Sequence, residues 1–357
     1  MISKYLLFPY YLYLKYRDKH YSNGRKETVI FDVPVISVGN IAMGGTGKTP
    51  AVEALVRLLG GEYRIAVVSR GYRRRTKGFL MVDVQDTADK VGDEPLQIKR
   101  KFPEILVAVD SVRERAVGNL LALPEAERPQ IIILDDGFQY RRLLHSKDIV
   151  LVDSSKPVLE DNLFPLGRLR DLPQRLESAD IVLITKCAGH PDKEDRENLI
   201  KANGIAPSRN VFFTTVKYLQ PVPVFEEFAD RRYIYSKEVY LFSGVGDDTP
   251  MVLHLTDKYD RIYHKNFPDH HRFNRIDIRK LNRFAASHPR TMFLTTEKDA
   301  QRLRSSGHLS DDLRRKLFYL PIEMDFLSYE ERQEFASVLR SGLPVGQVET
   351  DAPCCLG

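Results

Sequence analysis

Residues 33–59 read VPVISVGNIAMGGTGKTPAVEALVRLL, and their reading decides the fold. Residues 33–38 are a mostly apolar run of strand length. Residues 49–59 carry the apolar spacing of a helix, with Pro50 in its first turn, where a missing N–H costs little. Between them stands Gly44-Gly45-Thr46-Gly47-Lys48-Thr49. Glycines let backbone N–H groups turn inward onto phosphate oxygens. The helix N-terminus adds its dipole. Lys48 has the reach to bridge β- and γ-phosphates, and Thr49 has the hydroxyl that holds Mg²⁺. The strict spacing asks for a glycine five residues before Gly47, and Ala42 stands there, so the loop is a variant Walker A. The nucleotide site is expected to run over Ala42, Met43, Gly44, Gly45, Thr46, Gly47, Lys48 and Thr49.

Outward from this unit, short apolar runs alternate with helical patterns. Strands are expected at 65–69, 105–109, 131–134, 149–152 and 181–184, and helices at 94–101 and 112–123. Near-continuous apolar strands separated by helices indicate a parallel sheet covered on both faces. The expected fold class is α/β, a P-loop NTPase-like, mostly parallel sheet with helices on both faces, plus a second smaller α/β domain. Pro221 and Pro223 mark the junction. Beyond it, strands are expected near 239–242, 261–264, 292–294 and 317–320, with a helix at 276–287 and another after Thr296. The expected organisation is 1–30, 31–218, 219–345 and a flexible tail, 346–357.

The 357 residues carry 54 Lys+Arg against 49 Asp+Glu, a net charge of +5, and are 43% hydrophobic. That composition excludes intrinsic disorder and suits an anionic substrate or a membrane surface without singling out nucleic acid. The three cysteines, Cys187, Cys354 and Cys355, exclude a disulfide framework and a Cys-rich zinc site. The N-terminal segment, MISKYLLFPYYLYLKYRDKHY, holds six of the 17 tyrosines, four Lys or Arg and one acid. Pro9, the tyrosines and the missing small-residue cleavage site argue against a signal peptide. Amphipathic rings with basic flanks suit a helix lying in a lipid interface. They suit equally a helix packed on its own domain.

The partner of a phosphate loop is an acid at the end of a buried strand. Ile131-Ile132-Ile133-Leu134-Asp135-Asp136 is that element. The end of such a strand faces the crevice where ligands bind, so one of the two acids is expected to hold Mg²⁺, directly or through water, and the other to orient the attacking group. Thr185-Lys186-Cys187-Ala188 stands where guanine readers carry a Lys-x-Asp, but with Ala188 at the Asp position. ATP is the expected nucleotide. Met43 occupies the place of the extra lysine of dimeric switch ATPases, which weighs against a membrane-bound ATPase switch, the alternative reading. A nucleic-acid module is a third, with no recognition helix to support it. For the acceptor side, Gly92-Asp93-Glu94-Pro95 puts two acids at a helix start, where dipole pairing alone explains them. Phe267-Pro268-Asp269-His270-His271-Arg272 follows a strand, and a His beside an acid can deprotonate a hydroxyl. Arg70, Arg73, Arg74, Arg75 and Lys77 form one basic cluster, and Arg168 with Arg170 another.

In order along the chain, Val38-Gly39-Asn40 with GGTGKTP, Ser69-Arg70-Gly71-Tyr72, GDEP at 92–95, LDDGFQ at 134–139, PLGRLR at 165–170, FSGVG at 242–246 and FPDH at 267–270 make a series. That series resembles the tetraacyldisaccharide 4′-kinase family of lipid A biosynthesis, up to Thr296-Glu297-Lys298-Asp299. The resemblance implies γ-phosphoryl transfer from Mg·ATP to the 4′-hydroxyl of an acylated glucosamine disaccharide 1-phosphate. It implies Asp93 and His270 as the pair that activates the hydroxyl. It makes Lys48 and Thr49 the phosphate and Mg²⁺ residues, and Asp135 and Asp136 acids on the metal side. The acid after GRLR is usually Glu in the family and is Asp171 here, a further metal candidate one methylene shorter. Arg113 matches an arginine near the family's active site, and Tyr140 has no assigned role. A lipid acceptor favours the interfacial reading of the N-terminal helix and a peripheral place on the cytoplasmic face of the inner membrane. It needs no nucleic acid and no obligate protein partner. Asp93 and His270 fall in different expected domains, so the pair is expected to meet when the crevice closes, with hinges near residue 220 and near Leu317.

Overall fold

The computed structural model describes residues 7–206 and 208–344. The readings placed on residues 1–6 and on the tail with Cys354 and Cys355 lie outside the described residues. Eight strands follow in chain order: β1 (Val35–Asn40), β2 (Ile65–Ser69), β3 (Leu80–Met81), β4 (Leu106–Val109), β5 (Ile131–Asp135), β6 (Lys147–Asp153), β7 (Ile181–Thr185) and β8 (Asn210–Tyr218). Six more are β9 (Val222–Pro223), β10 (Glu238–Ser243), β11 (Arg261–Asn266), β12 (Met292–Thr296), β13 (Leu317–Leu320) and β14 (Ile322–Phe326).

The larger sheet has nine strands in the order β14-β8-β7-β6-β1-β5-β2-β4-β3. All neighbours from β8 to β4 are parallel, and only the edge strands β14 and β3 run antiparallel. β1 and β5 lie side by side at its centre with Val38 opposite Asp135. Ile131 and Ile133 pack into the core on one face, and Ile132 and Leu134 into the core on the other. A strand with apolar side chains on both faces must be covered twice, which is what parallel pairing with crossover helices supplies.

The smaller sheet runs β11-β10-β12-β13-β9, with only β9 antiparallel. The chain passes between the sheets twice, side by side. β8 pairs with β14 in the larger sheet, β13 pairs with β9 in the smaller one, and Leu219 N–H donates to Pro321 O at 3.0 Å where they cross. The second crossing therefore sits at Pro321 rather than near Leu317. This corrects the expected boundary at residue 345. β14 and the helix Tyr329–Arg340 return to the larger sheet, where Phe335 and Leu339 are buried in its core. The alternation in 322–326 (IEMDF) suits a half-buried strand at a sheet edge, but nothing local says which of the two sheets it joins.

β1 begins at Val35, two residues after the expected start, because Pro34 has no N–H to give a ladder. The strand runs on through Gly39, which has no room for a side chain. A Cβ there would stand 2.5 Å from Phe138 Cβ. The helix Phe8–Ser22 docks on the larger lobe through Leu14, which is 1% exposed, while Phe8, Leu12, Tyr13 and Tyr16 face outward. No helix among the described residues is long and apolar enough to cross a membrane.

Candidate active site

The phosphate loop leaves the C-terminal end of β1 and turns into the helix Lys48–Leu59 through Gly47 in the left-handed region, φ 90°. Gly44 is also left-handed, φ 107°, and glycine takes such angles without strain. Asn40 Nδ2 donates to Thr46 Oγ1 at 2.7 Å, and Thr185 Oγ1 donates to Thr46 O at 2.9 Å. The ends of β1 and β7, on either side of β6, thus brace the loop from behind. The amides of Gly44, Gly45 and Gly47 have no hydrogen-bond partner among the described residues. The first two residues of the expected nucleotide set are tied to another segment through their backbone. Met43 N–H is taken by Arg168 O at 2.6 Å, and Ala42 bridges Leu169. Those two residues hold the loop to the segment 162–170.

Asp135 and Asp136 close β5 but differ in environment. Asp135 is 1% exposed. Ser69 Oγ donates to its Oδ2 at 3.1 Å, and its Oδ1 has no partner. Burial, then the charges of Glu94 and Asp136, raise its pKa to about 7. Asp136 sits at φ 55° and faces Lys48, whose Nζ is 3.7 Å from Oδ1, and Arg170, which grips both carboxylate oxygens. Burial pushes its pKa up, but Lys48 and Arg170 outweigh burial and hold it at about 2.

A buried carboxylate oxygen without a donor fits a hard cation. Mg²⁺ commonly takes one or two carboxylates, a hydroxyl and phosphate oxygens rather than an all-protein cage. Thr49, 2% exposed at the helix start, and Asp135 with Asp136 offer that set. Asp171, the third expected metal acid, is bonded elsewhere in this structure. Its Oδ2 accepts from Arg17 at 2.8 Å, and its Oδ1 from Leu172 N–H at 2.9 Å. The shorter side chain is spent on docking the N-terminal helix, with Tyr10 Oη donating to Arg170 O at 3.2 Å beside it.

The hydroxyl side is assembled across the lobes. Gly92, at φ 98°, lies against Gly71 and starts the helix Asp93–Lys101. Asp93 Oδ1 accepts from Glu94 N–H at 3.0 Å. Its Oδ2 lies 3.5 Å from His270 Nδ1. His270 follows β11 and is itself left-handed, φ 57°, with its N–H donating to Gly244 O at 3.0 Å. Arg73 donates to His270 O at 3.0 Å, and the Tyr72 ring stands edge-on to the imidazole. Arg73, Asp136 and His270 are three of the four non-glycine residues with positive φ among the described residues. Such backbone strain gathers where a site demands it.

The pair expected to meet on closure is thus together in this structure. Other bonds close the same interface. Arg302 bridges Asp93 and His270, Lys298 pairs with Glu94, Arg100 donates to Gln301 at 2.6 Å, and Lys156 lies 3.9 Å from Asp247. Burial alone would raise the Asp93 pKa, but His270, Arg302 and Lys298 reverse that and hold it well below the ordinary carboxylate range. Arg302 and Lys298 were not assigned roles from sequence. The available signal was their four-residue spacing in the helix Glu297–Arg304, which puts both cations on one face.

Of the basic clusters, Arg73 reaches the dyad and Arg170 the phosphate side, while Arg74 holds Val109 O and Gly78 O, and Arg168 pairs with Asp161. Arg113 is 5% exposed and lies over the Tyr140 ring, so Tyr140 seats that arginine. A cleft of about 250 Å³ opens beside the dyad, lined by Tyr72, Arg73, Arg75, Arg272 and Phe273 among others.

A family model described as tetraacyldisaccharide-1-P 4′-kinase, LpxK, matches residues 4–343. The tetraacyldisaccharide 4′-kinase of Parabacteroides distasonis is 38% identical over 332 residues, 91% of this chain and 90% of that protein. That of Flavobacterium johnsoniae is 34% identical over 330 residues, 91% of this chain and 94% of that protein. Among solved structures, LpxK from Aquifex aeolicus in complex with ATP superposes with a TM-score of 0.71 at 25% identity, covering 96% of this chain and 100% of that one.

Proposed function

The chain belongs to the tetraacyldisaccharide-1-P 4′-kinase family and is an ATP-binding kinase of lipid A biosynthesis, and from that premise we propose how its residues divide the reaction. It transfers the terminal phosphate of ATP to the 4′-hydroxyl of a tetraacyldisaccharide 1-phosphate. The observation that carries the division of labour is the placement of Asp93 and His270, from opposite lobes, 3.5 Å apart beside an open cleft.

The free amides of Gly44, Gly45 and Gly47 cradle the phosphates, and Lys48 neutralises charge that builds on the transferring group. Asp136 keeps Lys48 in place, and Arg170 keeps Asp136 in place. Thr49, Asp135 and Asp136 are the residues that would hold Mg²⁺. When bound, the ion supplies charge neutralisation on the phosphate oxygens. On the other side, His270 takes the proton of the 4′-hydroxyl, and Asp93 steadies the imidazolium that forms. The sugar oxygen forms its bond to the γ-phosphorus as the bond to the β–γ bridging oxygen breaks, and ADP leaves. With the dyad between two lobes, water is shut out while the phosphate is in transit.

The helix Phe8–Ser22 exposes Phe8, Leu12, Tyr13 and Tyr16 and carries Lys15 and Lys19. That chemistry supports a peripheral seat on the cytoplasmic face of the inner membrane, where an acylated acceptor is found. The test is to incubate the protein with γ-labelled ATP and the detergent-solubilised acceptor and locate the new phosphate on the product. Label at the 4′ position is the expected result. Label elsewhere, or ATP turnover without label on the sugar, defeats the assignment.

A further inference from the structure

Arg302 is better fixed than an interface arginine needs to be. Its Nη1 donates to Asp299 Oδ1 at 2.6 Å and lies 3.4 Å from Gly244 O. Asp299 is wholly buried and is pinned by Gly244 N–H at 2.8 Å and Thr296 Oγ1 at 2.7 Å. The guanidinium is therefore locked on one edge by the smaller lobe. Its other nitrogen, Nη2, reaches Asp93 Oδ2 and stands 3.2 Å from His270 Nδ1. Gly244 joins the two halves of this anchor, since its carbonyl also accepts from His270 N–H.

From this geometry we propose that Arg302 is a positioning residue of the kinase. It fixes the Asp93 carboxylate, ionised and aimed at His270, and supplies that cation only while the lobes are together. The proposal rests on the dyad reading above. Asp93 stands on the larger lobe, and both of its partners, His270 and Arg302, stand on the smaller one. Parting the lobes removes both at once. The pair then cannot act on a hydroxyl in an open crevice full of water.

The groups facing Asp93 all come from four places. The helix Glu297–Arg304 presents Arg302 and Lys298, with Asp299 behind them. The loop after β11 presents His270 and Asp269, the latter 3.9 Å from His270 Nε2. Its own helix presents Glu94, which Lys298 neutralises. Across the cleft, Asp89 is paired with Arg75 and Arg272, and Arg73 is turned to the His270 carbonyl. Arg302 is thus the cation in direct contact with the Asp93 carboxylate, and it favours the charged form. Its loss leaves that carboxylate without its direct guanidinium contact and free to turn away from His270.

The experiment compares Arg302→Met, Arg302→Lys and Asp93→Asn in the full chain with ATP and the solubilised acceptor. Arg302→Met is expected to lower kcat by about 10²-fold, in the range of a lost acid–base partner, with the KM for ATP unchanged. Arg302→Lys is expected to restore much of kcat, because it returns the charge but not the fork. Full activity in Arg302→Met overturns the proposal. So do equal kcat losses in the Met and Lys variants, or a loss that falls on the KM for ATP instead. If Arg302→Met does not fold, Arg302→Gln takes its place, and full kcat in that variant overturns the proposal. Should Asp93→Asn stay active, the dyad reading falls first. Should Asp93→Asn be dead while Arg302→Met is normal, only the role of Arg302 falls.

Discussion

The phosphate side of the crevice takes Gly44, Gly45, Gly47, Lys48, Asp135 and Asp136 from the ends of two adjacent strands in one sheet. The hydroxyl side takes Asp93 from a helix start in the larger lobe and His270 and Arg302 from two elements of the smaller one. The first is set by the pairing of β1 with β5 and is in place once that sheet forms. The second exists only when two separately cored lobes sit in register. A kinase gains from this arrangement, because nucleotide can bind to a finished half-site while the step that commits the phosphate waits for the other half.

The largest expected effects test that division directly. Asp93→Asn should lower kcat by about 10²–10⁴ and leave ATP affinity intact, whereas Lys48→Met should lose about 10²–10³ in kcat and weaken ATP binding as well. Isothermal titration with an ATP analogue beside steady-state assays separates the two. A large loss of nucleotide affinity in Asp93→Asn would mean that the halves are not independent.

Next in size is a change aimed at the first half alone. Gly39→Ala places a Cβ 2.5 Å from Phe138 Cβ and 2.9 Å from its backbone nitrogen. Both belong to the core of the larger sheet. The expected cost is about 1–3 kcal/mol by overpacking, read as a lower urea midpoint. Wild-type stability in this variant would show that β1 and the segment after β5 are free to slide apart.

The smallest effect concerns the lobe contact away from the chemistry. Lys101 Nζ sits 2.7 Å from Glu53 Oε2 and 3.2 Å from Glu297 Oε2, and both acids are buried. Burial, then the Glu53 charge, raises the Glu297 pKa to about 7. A carboxyl whose folded pKa is raised adds stability that is whole below its unfolded value and is lost as pH climbs through the folded one. Wild type should therefore lose stability between about pH 5 and pH 8 from this group. Glu297→Gln should lose less, by about 1 kcal/mol, in urea melts at the two pH values. Equal losses in both proteins would mean that Glu297 is charged throughout.

Much of the phosphate side was legible because its signals are local. The loop glycines and the acids ending a buried strand lie within short stretches, each fixed by backbone rules. Even there, the backbone of Ala42 and Met43 is tied to a distant segment. Nothing local shows that the 168–169 segment would take their backbone. Asp171 was read as a metal acid, and the fold gives it instead to Arg17, 154 residues away. Arg302 was not assigned at all, since a surface-spaced arginine in a helix becomes a site residue only when another lobe brings an acid to it.

The sequence by itself determined a parallel sheet with a phosphate loop at its centre, the strand-end acids and the ordered motifs that mark the family. These are properties of apolar periodicity, glycine geometry and spacing along one chain. Only the tertiary structure decided which charges meet. It turned the 322–326 segment back into the larger sheet, spent Asp171 on the N-terminal helix, and set Arg302 against Asp93 and His270. The reason is physical. Hydrophobic pattern and backbone sterics act over a few residues, whereas a buried ion pair depends on where two distant backbones are held once both cores have formed.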